Sequence, residues 1–176
     1  IVADLNYGDY QGNSEFEEVK NIFSLNQLPS FVNLSPLHQS MLNEVKDRGY
    51  EYTSLGCLFF LQAIESQFPQ SKIYVEFHEM SGIGYHSIQG KNVGILGDNC
   101  LNSITMHSGH EWVYEANEKY PINYPEYFWL ISHYEQFTFE NADITFFPSH
   151  FLTNRVNSYG WYRDDMIHQP NFIPIP

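Results

Sequence analysis

Two short segments carry most of the side chains able to do chemistry: "FHEMSGIGYH", Phe77 to His86, and "ITMHSGHEWV", Ile104 to Val113. The first passes from a β-rich run, Ile73 to His78, through a glycine turn into helical apolar spacing. In the second, His107 ends a strand-like run, with Ser108 and Gly109 making a small, polar surround. A neutral imidazole at such a position can donate a hydrogen bond to a sugar hydroxyl or polarise a reacting group. The plainer alternative is a histidine satisfied by a backbone carbonyl, and residue type alone leaves both open.

The turn Ser81-Gly82-Ile83-Gly84 suggests a ligand of another kind. A helix N-terminus offers unpaired N–H groups, and glycine lets a ligand come close to the backbone. Gly82-x-Gly84 lacks the third glycine of the dinucleotide fingerprint and the Lys and Ser/Thr of a P-loop. Nucleotide binding by either route is poorly supported, and a tight strand–helix turn without a ligand competes with it. His78, His107 and His110, with Glu79 or Asp98, are also the residue types of a metal site. However, "FHEMSG" lacks the second His of H-E-x-x-H, and "LGDN" with "SGHE" only faintly echoes a metallophosphatase. No metal is expected from these spacings.

The elements that must position these residues alternate along the chain. "IVADL" is a plausible strand and "NSEFEEVKNIFSLNQL" a helix with Ser14 as its N-cap. "LSPLHQSMLNEVKDRGY" reads as a helix with Ser35 as N-cap, Pro36 at its first position and Gly49 as its stop. "SLGCLFFLQAIESQF" is apolar nearly all round and ends at Pro69, as a buried helix does. Strand "KIYVEFH", helix "GYHSIQGKNVGIL", strand "LNSITMH" and helix "EWVYEANEK" follow. The loop "YPINYP" leads to helix "PEYFWLISHYEQFTFEN", strand "DITFFPS", helix "SHFLTNRVNSYG" and a short strand in "MIHQP". Short apolar runs between helices suit strands covered on both faces. The alternation predicts an α/β, Rossmann-like three-layer α/β/α fold with a mostly parallel, doubly wound sheet. Ligands of such sheets lie beyond the carboxyl ends of the strands. The candidates are therefore His78 to Gly84, His107 to His110, and Pro148-Ser149. Most aromatic residues of the second half read as packing groups, although Trp112 can instead line the cleft.

Composition narrows the class. A chain of 176 residues, 43% hydrophobic and 17% aromatic, suits one domain with a sizeable core. With 8 Lys+Arg against 21 Asp+Glu and a net charge of −13, it has no basic surface for a nucleic acid. It also has no basic amphipathic segment for an anionic membrane. "LGCLFFLQAI", the longest apolar stretch, is too short to span a bilayer, while peripheral membrane contact stays open. Cys57 and Cys100 lack metal or redox spacing and read as buried thiols of a cytoplasmic protein. The chain opens on "IVADL" and closes on "NFIPIP", and reads as a piece of something longer.

In order, "YVEFHEMSGIGYHSIQGKNVG", "LNSITMHSGHEWVYEANEK", "FENADITFFPSHFLTNRV" and "GWYRDDMIHQPNFIPIP" resemble the N-terminal domain of GT-B-fold glycosyltransferases, in particular the large retaining family 4. The matching pieces are His78 to Gly84, Met106-His107-Ser108, Glu140-Asn141-Ala142-Asp143 with Ser149 and Leu152, and Pro170-Asn171, so the likeness covers about residues 73–171. The resemblance implies that residues 1–176 form one Rossmann-like domain, the acceptor half of a two-domain enzyme. That half would move a sugar from a nucleotide-sugar donor to a glycan, lipid or metabolite acceptor, with no metal and no cofactor beyond the donor substrate.

The resemblance also implies roles. His107 would be the catalytic or donor-contacting histidine, and Ser81, Gly82 and Gly84 would line the acceptor side. His78, Glu79, Tyr85, Ser108, His110, Trp112 and Ser149 would complete the cleft wall. The expected partners are a C-terminal donor-binding domain and a sugar or glycan acceptor, and the piece by itself is not expected to catalyse. The sequence departs from the family at Phe172, where glycine usually follows "IPN". Gly12 is a weak match to the glycine loop that touches the donor diphosphate, and the donor half with its E-x7-E element has no counterpart. A metal-dependent hydrolase using the strand-end histidines and a non-catalytic Rossmann-like binding module are the alternatives.

Overall fold

The computed structural model describes residues 33–118 and 126–171. The expected strand "IVADL", the helix over "NSEFEEVKNIFSLNQL", Gly12 and the loop "YPINYP" lie outside those residues. Helix α1 (Pro36–Val45) starts as its sequence requires: Ser35 accepts the His38 amide at 3.1 Å, and Pro36 takes the first turn, where no N–H is needed. Across Gly49, at φ 47°, helix α2 (Tyr50–Gln67) buries Ser54, Cys57, Leu58, Leu61 and Ile64 at helical spacing. The Phe68 amide bonds back to Ile64, and Pro69 then ends the helix.

Strands β1 (Ile73–His78), β2 (Cys100–Thr105), β3 (Ile144–Phe147) and β4 (Ile167–His168) form an all-parallel sheet in the order β1-β2-β3-β4. They are joined by α3 (Tyr85–Asn92), then α4 (His110–Ala116) and α5 (Glu126–Asn141), then α6 (His150–Ser158). The protein is thus α/β with a Rossmann-like sheet, the expected class. No helix of the described residues is long and apolar enough to cross a membrane. Cys57 and Cys100 are free and buried, and burial pushes both thiols up to about 12.

A sheet whose main core lies on one face buries every second residue of each strand. The strands agree. Ile73, Val75, Phe77, Cys100, Asn102, Ile104, Thr145 and Phe147 are in register on one face and all buried. Their alternates Tyr74, Glu76, His78, Leu101, Thr105, Ile144 and Phe146 keep part of their surface. This differs from strands covered equally on both faces, and the reason is chemical. On the second face, Ser103 bonds Tyr74 at 2.8 Å and Thr105 bonds Glu76 at 2.8 Å, so cross-strand polar pairs replace apolar contacts. A doubly wound sheet also needs crossovers in the opposite sense, and none lies among the described residues.

Helix α5 anchors the site end. Phe128, Ile131 and Phe139 on it are all but inaccessible. Arg163 holds its last turn, donating to the carbonyls of Phe139 at 3.2 Å and Ala142 at 2.5 Å, as a cation at a helix C-terminus should. The turn after β1, a 3-10 turn at Met80–Gly82, presses against the middle of α5. Gly82 stands there at φ 58°, and a Cβ on it would lie 2.3 Å from Tyr134 Cβ. A Gly82→Ala substitution combines overpacking with a left-handed backbone and should cost roughly 3 kcal/mol. Urea unfolding of the two proteins measures this, and an unchanged midpoint would mean that the turn does not press on α5.

Candidate functional site

The β1 and β2 register, with His78 opposite Thr105, brings the residues after both strands out at the same end of the sheet. Glu79, the first residue after β1, is 1% exposed. Its Oε1 accepts a short bond from the Ser108 amide, and its Oε2 lies 3.4 Å from His107 Nδ1. A buried carboxylate is therefore the main partner of His107, with the Thr105 backbone carbonyl as a second one. Burial works to push the Glu79 carboxyl up, but the His107 ring, the Ser108 amide and nearby backbone N–H groups outweigh it and hold the group below its ordinary value. The bond to Glu79 raises His107 above the usual imidazole range, against a smaller opposing effect of burial. The sequence suggested a neutral ring. The buried carboxylate instead favours the imidazolium, with Nδ1 facing Glu79. The His107 side chain keeps 53% of its surface, so the ring is open to solvent.

A second carboxylate closes the arrangement from α5. Glu135 is fully buried. Its Oε1 accepts the Ser81 amide at 2.7 Å and lies 2.7 Å from His110 Nδ1, while Oε2 accepts the His110 amide at 2.7 Å. Ser81 is held at φ 65°, a left-handed conformation unusual for a residue with a side chain. Gly109, at φ 95°, lets the chain pass Glu135: a Cβ there would be 3.2 Å from Oε2. The sequence reading did not single out Glu135. Its signal was present, as a carboxylate in register with Phe128, Ile131, Thr138 and Phe139 on the mostly apolar inner stripe of the helix.

The remaining candidates take various places. Glu79, Ser81, His107, Ser108 and His110 meet at one end of the sheet through the bonds above. His78 ends β1 on the second face, opposite Thr105, and is half-buried. Gly82 and Gly84 turn their bare α-carbons to protein: a Cβ on Gly84 would meet the Phe77 ring at 3.0 Å and Ile104 at 3.3 Å. Their lack of side chains serves close helix–sheet packing. Tyr85 stacks on Tyr134 at 3.8 Å, which ties α3 to α5. Trp112 is half-buried against the core, with its ring 6.1 Å from Phe151. Ser149 caps α6 by accepting the Leu152 amide at 3.3 Å.

These bonds limit what the site can hold. The start of α3 gives the His86 amide to Ser54 at 3.1 Å, and the start of α4 gives the His110 amide to Glu135. One first-turn amide of each helix, of the kind that would cradle a phosphate, is thus already engaged. Asp98 precedes β2 and lies at the opposite end of the sheet from His107, so the two cannot share a metal. Among the described residues no three of His, Cys, Asp and Glu are grouped to hold a metal ion. What the arrangement offers is an accessible, positively biased imidazole braced by a buried carboxylate.

The pair leaves a signature in pH. Glu79, with its pKa lowered, stabilises the fold above its ordinary 4.5 and loses that contribution as pH falls through the depressed value. His107, with its pKa raised, stabilises fully below 6.5 and loses its share as pH rises through the elevated value. The unfolding free energy lost on His107→Gln should therefore be largest between those values and shrink in alkali. It should stay below about 1 kcal/mol, because water screens the exposed ring. Denaturant titrations of both proteins across that range measure it, and a difference independent of pH would rule out the ion pair. Comparison with models of known families, with curated proteins and with solved structures finds no match for this chain.

Proposed function

We propose that this chain is the acceptor-side, N-terminal domain of a retaining GT-B glycosyltransferase. The observation that carries this reading is a coincidence of place. The segments that resemble the family, His78 to Gly84, His107-Ser108 and Ser149, are spread along the sequence. They emerge at the same end of three adjacent parallel strands, where ligands of open α/β sheets bind. The fold belongs to many functions, so the site has to carry the argument.

In that reading the bond between the donor sugar's anomeric carbon and the nucleoside diphosphate breaks, and the electron pair leaves with the diphosphate. A bond forms from the same carbon to an acceptor hydroxyl, whose proton is released. His107 Nε2 donates a hydrogen bond into the cleft, to the transferred sugar or to the oxygen gaining charge. Glu79 keeps the ring oriented and charged, so the donor is set before the reaction begins. The loop at Ser81 to Gly84, with Ser108, forms the wall on the acceptor side. The donor's nucleotide is bound by a second α/β domain of the same enzyme. The setting is the cytoplasm, in keeping with two free cysteines.

The full-length enzyme tests the proposal. Release of nucleoside diphosphate from UDP-, GDP- and ADP-hexoses is followed in the presence of glycan and glycolipid acceptors. His107→Ala should lower turnover about a hundredfold or more and leave the far-ultraviolet circular dichroism unchanged. A reading frame without a second α/β domain, wild-type enzyme inert with every donor, or a fully active His107→Ala enzyme would each overturn it.

A further inference from the structure

We propose that Glu135 is a positioning residue: by gripping both strand-end loops from α5, it fixes the separation at which Glu79 meets His107. The inference deepens the proposed function and rests on it in one respect, the role given to His107 in the cleft.

The geometry is a double clasp. Glu79 reaches from the loop after β1 to the loop after β2, through Ser108 and His107. Glu135 ties the same two loops to a third element, α5, through the Ser81 and His110 amides. Its two attachment points flank the inner pair closely: Ser81 is two residues beyond Glu79, and His110 is three beyond His107. A shift at either outer point therefore moves the inner pair directly.

The loops have little of their own to keep them in place. Ser81, Gly82 and Gly109 all have positive φ, at 65°, 58° and 95°. Only one of the three, Ser81, strains a side chain to do so, and its amide is held by the Glu135 carboxylate. Strained backbone persists where its surroundings over-determine it. The two carboxylates also do not compete for donors, since each has its own histidine and its own loop amides. His107 touches Glu79, whereas Glu135 touches neither, so Glu135 acts through the backbone that carries them.

A helix cap for α4 alone would use the same bonds, and the experiment separates the two roles. Proton NMR of the 176-residue chain follows the titration of the His107 ring in the wild type, Glu135→Gln and Glu135→Asp. Aspartate keeps the charge but withdraws it by one methylene. If position matters, both variants should let the His107 midpoint fall toward the ordinary 6.5. A purely coulombic influence would spare the aspartate variant, and a helix cap would spare both; either result overturns the proposal. Should the variants fail to fold, native-state hydrogen exchange of the wild type decides. The Ser81, Ser108 and His110 amides should open together, and a Ser108 amide that opens independently of the other two would refute the clasp. None of these readouts depends on activity. An inert wild-type enzyme with the expected titration would sink only the transferase reading, and a normal titration in both variants only the positioning role.

Discussion

A carboxylate removed from water must be given donors, because desolvating it unanswered costs several kcal/mol or drives it to take up a proton. Two such groups, Glu79 and Glu135, are buried at the carboxyl end of this sheet. The donors that answer them come from the chain's own loops, chiefly the amides of Ser81, Ser108 and His110. The conformation of the loops after β1 and β2 is thus a consequence of satisfying two charges. Glu135 shares α5 with Phe128, Ile131 and Phe139, all as deeply buried as the two carboxylates. Packing and polarity are one constraint here: the apolar helix makes the carboxylates expensive, and the loop amides make them tolerable.

The same economy explains the glycines. Gly82 and Gly84 belong to a sequence that suggests ligand access, yet both face protein, Gly82 at a distance no side chain would permit and Gly84 at one that would make its neighbours shift. The missing side chains allow the turn to press on α5 and α3 to approach the sheet, and that closeness brings the Ser81 amide within reach of Glu135. One amide at the start of α3 and one at the start of α4 are taken by Ser54 and Glu135. Among the described site residues, the His107 imidazole keeps about half of its side-chain surface and is braced by Glu79. An accessible imidazole whose protonated form a buried carboxylate favours is suited to holding an oxygen that carries or gains negative charge.

Much of the architecture was legible before any coordinates. The helix starts at Ser35-Pro36 and at Ser149 follow from local capping chemistry, which needs no tertiary context. The alternation of β-rich and helical spacing gave a parallel sheet for the same reason: each period is a local property of which residues face a core. Site placement at strand ends followed from fold class. The burial alternation along β1 and β2 was harder to see. Tyr74 and Thr105 count as strand formers whether they are covered by a helix or bonded across the strands to Ser103 and Glu76.

By itself the sequence determined which segments become strands and helices, and that His107 stands just past a strand end. Those properties depend on neighbours a few residues away. Tertiary structure decided what His107 is bonded to, and that Glu135 joins both strand-end loops to α5. Its contacts with Ser81 and His110 cross 54 and 25 residues of chain. No spacing rule reaches that far, because such partners are chosen by the packing of α5 against the turn and by the need to neutralise buried charge.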